Sequence, residues 1–222
     1  TERTNSTNRY TDAAPNSGNG FIGPYNHGDT SKSNYSSDGK CMTSGRELAP
    51  IIPLTNSRTT LSNFFANATT GGGTPGHLGT AWAWYMLSPN WSSIFTGASQ
   101  PVAYADTGTK KIAVLMSDGE YNIQYSGVAA MTQAIQLCTG MKAKGIQVYT
   151  VGFGVGQNVT ASPTGTASQR ARYVLEQCSS GAGYYHFPSN GDALRTAFQT
   201  IADSAVSQTN SSSAFVNARI TR

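Results

Sequence analysis

Charged residues are scarce in this chain of 222 residues. Lys, Arg, Asp and Glu together make up 12% of it, and the formal net charge is +4. The basic residues are scattered, and Lys110-Lys111 is their single adjacent pair. Nucleic-acid binding depends on a basic patch or stripe that neutralises phosphates, so the sequence predicts neither DNA nor RNA as a partner.

Long apolar runs and cysteine clusters are also missing. No run of about 18 apolar residues occurs, so the sequence predicts no membrane-spanning helix in this chain. Its cysteines, Cys41, Cys138 and Cys178, have the spacing of neither a Cys-x-x-Cys redox pair nor a zinc cluster. The histidines are equally scattered, which argues against a zinc site or a histidine-based catalytic site.

Residues 1–50 have almost no hydrophobic periodicity and are rich in Asn, Ser, Gly, Asp and Tyr. This composition predicts an irregular, strand-poor lobe that is inserted in the domain or packed on it. The domain itself is predicted over residues 51–222, where strand and helix patterns alternate. Such alternation is typical of an α/β domain with a mostly parallel sheet and helices on both faces. The predicted strands are 111–116, 146–153, 184–187 and 215–220, and the predicted helices include 57–68, 77–87, 171–178 and 192–205.

The stretch from Lys111 to Gly119 is the most informative part of the sequence. Its apolar run, Ile112 to Met116, predicts a strand buried on both faces, and the run stops at Ser117-Asp118-Gly119. Open α/β sheets bind ligands at the carboxyl ends of their strands, so Asp118 is predicted to face a ligand, and a cation fits its charge best. The alternative is that Asp118 only caps the following helix.

A second loop, Gly72-Gly73-Thr74-Pro75-Gly76, precedes a predicted helix. A Thr hydroxyl and an Asp carboxylate are oxygen ligands of the kind that Mg²⁺ prefers. Together the two loops resemble the metal-ion-dependent adhesion site of von Willebrand factor A (vWA) domains. The resemblance implies that Thr74 and Asp118 are metal ligands. It also implies a third loop, Asp-x-Ser-x-Ser, directly after the first strand. Asp29-Thr-Ser-Lys-Ser33 has this spacing, but no hydrophobic strand precedes it. We therefore expect the first strand and its loop to be missing from the chain, and Mg²⁺ to bind if that loop is supplied.

The order of short motifs along the whole chain is similar to the C-terminal vWA region of tight-adherence (Flp-type) pilus assembly proteins of the TadG kind. This resemblance implies a vWA-like (Rossmann-like) three-layer sandwich. It implies a protein-binding module, not an enzyme, in the periplasm, cell envelope or extracellular space of a bacterium. Its partners would be pilus or envelope components, held by a metal bridge to an acidic side chain. The motifs are Ile52-Pro-Leu-Thr55, Gly72-Gly73-Thr74, Gly79-Thr-Ala-Trp82, Leu87-Ser-Pro-Asn-Trp91, Met116-Ser-Asp-Gly119, Lys142-Ala-Lys-Gly-Ile146, Val148-Tyr-Thr-Val-Gly-Phe153, Cys178-Ser179, Tyr184-Tyr185 and Leu194-x-x-Ala-Phe198.

Residues next to Asp118 are candidates for the partner surface. Glu120, Tyr121 and Gln124 are predicted to border it, although plain solvent exposure is the alternative for each of them. The aromatic residues of the second predicted helix and of the turn after it also have two interpretations: a recognition patch or, more commonly, core. These residues are Trp82, Trp84, Tyr85 and Trp91.

The cysteines give an indication of the cellular compartment in which the protein works. Cys138 and Cys178 lie in helices that flank the predicted strand 146–153, so both are expected on one side of the sheet, where they can form a disulfide. A disulfide would imply an oxidising compartment, whereas two reduced, buried thiols are the alternative. Cys41 would then pair outside this chain, and the resemblance suggests a partner just upstream of Thr1.

Two other functions remain open. One is a metal-free structural protein that serves the assembly of a pilus or surface appendage. The other is a phosphohydrolase in which a metal at Asp118 activates water.

Overall fold

A computed structural model describes residues 8–14, 51–68, 74–124 and 127–206, together with the backbone of residues 42–43, 46–47 and 207–210. Most of the predicted N-terminal lobe, Cys41 and the predicted strand 215–220 lie outside the described residues. Two short antiparallel strands, β1 and β2, fall within the range of the lobe. The elements are β1 (Met42–Thr43), β2 (Arg46–Glu47), α1 (Arg58–Ala66), α2 (Gly76–Leu87), β3 (Ile112–Ser117), α3 (Ala130–Ala143), β4 (Gln147–Gly152), α4 (Ala167–Cys178), β5 (Tyr185–His186) and α5 (Gly191–Asn210).

The centre of the fold is an open, parallel sheet with the strand order β3-β4-β5. In the register of β3 and β4, Ile112 lies opposite Gln147 and Ser117 opposite Gly152, so the two strands end together. The connections run through α3 and α4, because parallel strands need a crossover. None of the described helices is long and apolar enough to cross a membrane.

Helices cover both faces of this sheet, and the described part of the chain therefore has an α/β architecture. One face carries Ala113, Leu115 and Val148, which pack with buried residues of α2, α3 and α4 in the larger core cluster. The opposite face carries Tyr149 and Val151, which pack against α5. The alternation of side chains along β4 thus places one set of residues under each helical layer.

The prediction that β3 is buried on both faces is wrong. Val114 and Met116 are 38% and 48% exposed, whereas Ala113 and Leu115 on the other face are buried. The reason is the position of α5, which packs on residues of the neighbouring strand β4. Within the described residues, β3 pairs only with β4, so it is an edge strand with one apolar face exposed.

The aromatic residues of α2 and of the following turn are core, as the commoner interpretation predicts. Trp84, Tyr85 and Trp91 are at most 2% exposed, and the rings of Tyr85 and Trp91 stack with their centroids 4.1 Å apart. Gly140 of α3 makes room for this packing, because a Cβ at that position would overlap the indole ring of Trp84. The partly buried Trp82 meets both stacked rings edge to face.

A buried carboxylate joins residues 8–14 to the domain. Asp12 Oδ2 accepts hydrogen bonds from Ser88 Oγ (2.5 Å), Tyr104 OH (2.6 Å) and Asn90 Nδ2 (3.1 Å). The indole N–H of Trp91 donates to the backbone carbonyl of Asp12 at 3.2 Å. The segment is therefore attached through polar groups at the end of α2, close to the aromatic part of the core.

The predicted disulfide between Cys138 and Cys178 is present. It links α3 to the end of α4 with a Cα–Cα distance of 5.0 Å, and both residues are fully buried. Helix α4 is longer than predicted, because Thr166 and Gln169 form a capping box that starts the helix at Ala167. Helix α1 forms within its predicted range, but none of its residues is buried.

Candidate functional site

The loop that follows β3 presents Asp118 at the carboxyl edge of the sheet. The hydroxyl of the buried Ser117 donates to the Gly119 carbonyl at 2.9 Å and accepts from the Gly119 N–H at 3.3 Å. The Phe153 N–H donates to the Ser117 carbonyl at 3.0 Å, which extends the pairing of β3 with β4 up to the turn. Asp118 therefore stands at the tip of a tight turn with its side chain exposed.

Thr74 lies on a neighbouring loop that is tied to the Asp118 loop through Asn122. The Thr74 N–H donates to Asn122 Oδ1 at 2.8 Å, and the Asn122 N–H donates to the Thr74 carbonyl at 3.2 Å. Both groups of Thr74 in these bonds belong to its backbone, so its hydroxyl is not used by them. Gly72 and Gly73 lie outside the described residues. The two predicted metal-ligand residues are thus on adjoining loops.

Tyr121 lies under the Thr74 loop. Its ring packs so closely on Gly76, the first residue of α2, that a Cβ at Gly76 would overlap the ring atoms. Burial is the main reason that the pKa of Tyr121 rises to about 12, and a hydrogen bond with Thr80 partly opposes the rise. Only a small part of Tyr121 is accessible to a partner, whereas Gln124, farther along the loop, is exposed.

Glu120 forms an ion pair with Arg170 of α4. Glu120 Oε2 lies 2.7 Å from Nε and 2.6 Å from Nη2 of Arg170. The same guanidinium donates from Nη1 to the Gly165 carbonyl, just before α4. The Glu120 side chain is 25% exposed, so a partner can reach its edge, but its charge is already balanced within the chain. Sequence reasoning did not identify Arg170, because no local pattern connects it to a residue so far away in the sequence.

The oxygen ligands that the site offers are few. Thr74 and Asp118 supply one hydroxyl and one carboxylate, while Mg²⁺ prefers an octahedral set of about six oxygen ligands. Among the described residues, no group of three or more His, Cys, Asp or Glu side chains is placed to hold a metal ion. The two residues supply two oxygen ligands of the kind that Mg²⁺ prefers, and the remaining positions of such a site would have to be filled by water or by another loop.

No family model matches the sequence, and no curated protein is significantly similar to it. Similar solved structures include the pilus adhesin SpaC from Lactobacillus rhamnosus GG in its open conformation, with 15% identity and a TM-score of 0.47 over 69% of this chain. A second SpaC structure has 12% identity and the same TM-score. An uncharacterized membrane spanning protein from Vibrio fischeri is 29% identical over 43% of this chain and 47% of its own, with a TM-score of 0.31.

The coverage of these structures is limited. This chain spans 22% of the length of the SpaC chains. TM-scores at this level do not establish a shared fold.

Proposed function

We propose that the chain is part of a protein-binding module of the bacterial cell envelope that acts in pilus assembly or adhesion through a metal-bridged contact. The observation that carries the proposal is the joining of the Thr74 loop to the Asp118 loop by the two hydrogen bonds of Asn122. Residues that are distant in sequence are thereby gathered at the carboxyl edge of a parallel sheet, where α/β domains bind ligands. The order of motifs along the sequence supports the assignment to a vWA-like domain and to pilus assembly.

The missing ligands would come from a third loop with the Asp-x-Ser-x-Ser pattern, following a strand beyond those that the structure describes. The outer edge of β3 supports this part of the proposal, since β3 pairs with β4 alone among the described strands. A parallel strand along that edge would end beside Ser117 and bring its own loop next to Asp118. The exposed apolar side chains of Val114 and Met116 would be covered by the polypeptide that accompanies such a strand.

The mechanism is capture of a partner without chemical change. The Asp118 carboxylate and the Thr74 hydroxyl would hold a divalent cation, with Mg²⁺ as the first choice, together with oxygens of the third loop. When bound, the cation supplies an open coordination position for an acidic side chain of the partner. The exposed position of Asp118 leaves the outer side of the turn accessible to such a partner. Gln124 and the accessible edges of Glu120 and Tyr121 would border the contact.

The disulfide supports a location outside the reducing cytoplasm. Stable disulfides form in the periplasm, at the cell surface or outside the cell, and the Cys138–Cys178 bond lies fully buried between two core helices. We infer that the protein acts in the periplasm, in the cell envelope or outside the cell. Pilus or envelope components are the partners that fit this location.

A metal-free structural role is the second candidate. The observation that favours it is the ion pair between Glu120 and Arg170. Glu120 is the acidic residue nearest in sequence to Asp118, and its carboxylate is paired within the chain instead of serving a metal ion. In that case the disulfide and the hydrogen bonds of the buried Asp12 would make the domain rigid, and its outer surface would contact the other components of the assembly. A phosphohydrolase is a weaker candidate, because a metal-dependent hydrolase needs several ligands and a group that activates water.

The test compares thermal unfolding with Mg²⁺ and with a chelator, using the protein at its natural length. A ligand at 100 times its Kd stabilises the folded state by about 2.7 kcal/mol, so we expect a clear rise in Tm with Mg²⁺. Asp118→Ala should abolish the rise, and Asp203→Ala, a change of an exposed carboxylate on α5, should keep it.

Each alternative predicts a different result. Equal Tm values with Mg²⁺ and with chelator would favour the metal-free structural protein. Turnover of a generic phosphoester that Asp118→Ala abolishes would favour the hydrolase.

A further inference from the structure

We propose that Asn122 is a positioning residue that sets the place of Thr74 relative to Asp118 and thereby controls metal affinity. This inference rests on the proposed function, because it concerns the same two loops. Asn122 acts on Thr74 through its backbone, since Asn122 Oδ1 accepts the Thr74 N–H at 2.8 Å. The bond leaves the Thr74 hydroxyl available for a cation.

The first argument is that the Thr74 loop lacks the usual support of a helix start. The N-cap of α2 is Pro75, which makes no side-chain capping hydrogen bond. Capping side chains such as Ser, Thr, Asp or Asn normally satisfy free N–H groups at a helix N-terminus and fix the chain that enters the helix. At α2, the chain that enters the helix is held from outside instead, by the side chain and the backbone N–H of Asn122.

The second argument is that Asn122 belongs to a segment that is itself fixed. Its neighbour Tyr121 packs on Gly76 at the start of α2, and Glu120 pairs with Arg170 of α4. The consecutive residues 120–122 therefore join the Asp118 loop to two different helices. Any shift of this segment would move Thr74 as well.

The third argument comes from the precision that metal sites need. Residues that orient metal ligands without touching the metal commonly change affinity by about 10- to 100-fold when they are replaced. Asn122 is such a residue with respect to Thr74, because it holds the backbone of this proposed ligand. Its side-chain bond can be removed by mutation while the backbone bond from its N–H to the Thr74 carbonyl remains, so the loop should loosen without unfolding of the domain.

The test uses Asn122→Ala, Asn122→Asp and the control Asn63→Ala, a change of an exposed Asn on α1, in the protein at its natural length. In the absence of metal, amide hydrogen exchange at Thr74 should become several-fold faster in Asn122→Ala. It should stay slow in Asn122→Asp, whose carboxylate still accepts the Thr74 N–H, and in the control. Calorimetric titration with Mg²⁺ should show an affinity about 10- to 100-fold lower for Asn122→Ala, with the control unchanged.

The two readouts separate the inference from the function on which it rests. Unchanged exchange at Thr74 in Asn122→Ala would overturn the inference, and so would faster exchange with unchanged Mg²⁺ affinity. Failure of the unmutated protein to bind Mg²⁺ would instead overturn the proposed function, even if the exchange results showed that Asn122 holds the Thr74 loop.

Discussion

Removing the Cys138–Cys178 disulfide should lower the free energy of unfolding by an amount that depends on the number of residues between the two cysteines. The bond joins residues 40 apart in the sequence. In the chain-entropy treatment, closing a loop of that length removes about 13 cal/mol/K from the unfolded state, or about 4 kcal/mol at 25 °C. Replacing both cysteines by Ala should therefore lower the free energy of unfolding by about 4 kcal/mol.

The measurement is urea unfolding and thermal unfolding of Cys138→Ala/Cys178→Ala against the disulfide-bonded protein. Both proteins should carry Cys41→Ala, so that thiol exchange does not complicate unfolding. For a chain of this size, a loss of about 4 kcal/mol corresponds to a fall in Tm of about 8 to 16 °C. The buried position of both sulfurs adds a smaller packing loss in the same direction.

One result would refute this reasoning. If peptide mapping confirms the disulfide in the reference protein and the two proteins still unfold at the same urea concentration, the bond does not constrain the unfolded chain as argued.

Further predictions concern the core and the site. Gly140→Ala should destabilise the protein by about 1 to 3 kcal/mol in urea unfolding because the new methyl group overlaps Trp84, whereas Gly79→Ala, at a helix position with free space, should stabilise it slightly. Asp12→Ala should cost about 2 to 4 kcal/mol in the same assay because buried donors lose their acceptor; an unchanged midpoint would contradict the role of the cluster. Tyr121→Phe should reduce the fall in Tm between about pH 10 and pH 12. The unfolded tyrosine releases its proton near pH 10, whereas the folded one keeps it up to a pKa of about 12, so the wild type loses stability over this range. Parallel pH profiles of variant and wild type would count against the burial of this phenol.

The secondary structure could be predicted from the sequence where local patterns are strong. The apolar run before Asp118 and the run from Gln147 to Gly152 both form strands within a residue or two of the predicted limits. The exposed face of β3 could not be predicted, because the apolar run has no alternation and the position of α5 depends on the rest of the fold. Helix α1 shows the same limit, since its apolar residues have helical spacing and yet none is buried.

The sequence predicts the residues of the candidate site but not the contacts that hold them in place. The sequence identifies Thr74 and Asp118 because their loops resemble those of a known kind of metal site. The contacts that fix these loops, from Asn122 to Thr74 and from Arg170 to Glu120, join residues that are distant in the sequence. Polar pairs of this kind leave no periodic pattern, so only the folded structure reveals them.

Calorimetric titration of Mg²⁺ into the protein at its natural length is the most direct test of the central claim. We expect saturable binding at a single site in each chain, lost in Asp118→Ala and kept in Asp203→Ala. The absence of saturable binding, or equal binding by wild type and Asp118→Ala, would contradict a metal-bridged function at the carboxyl edge of this sheet.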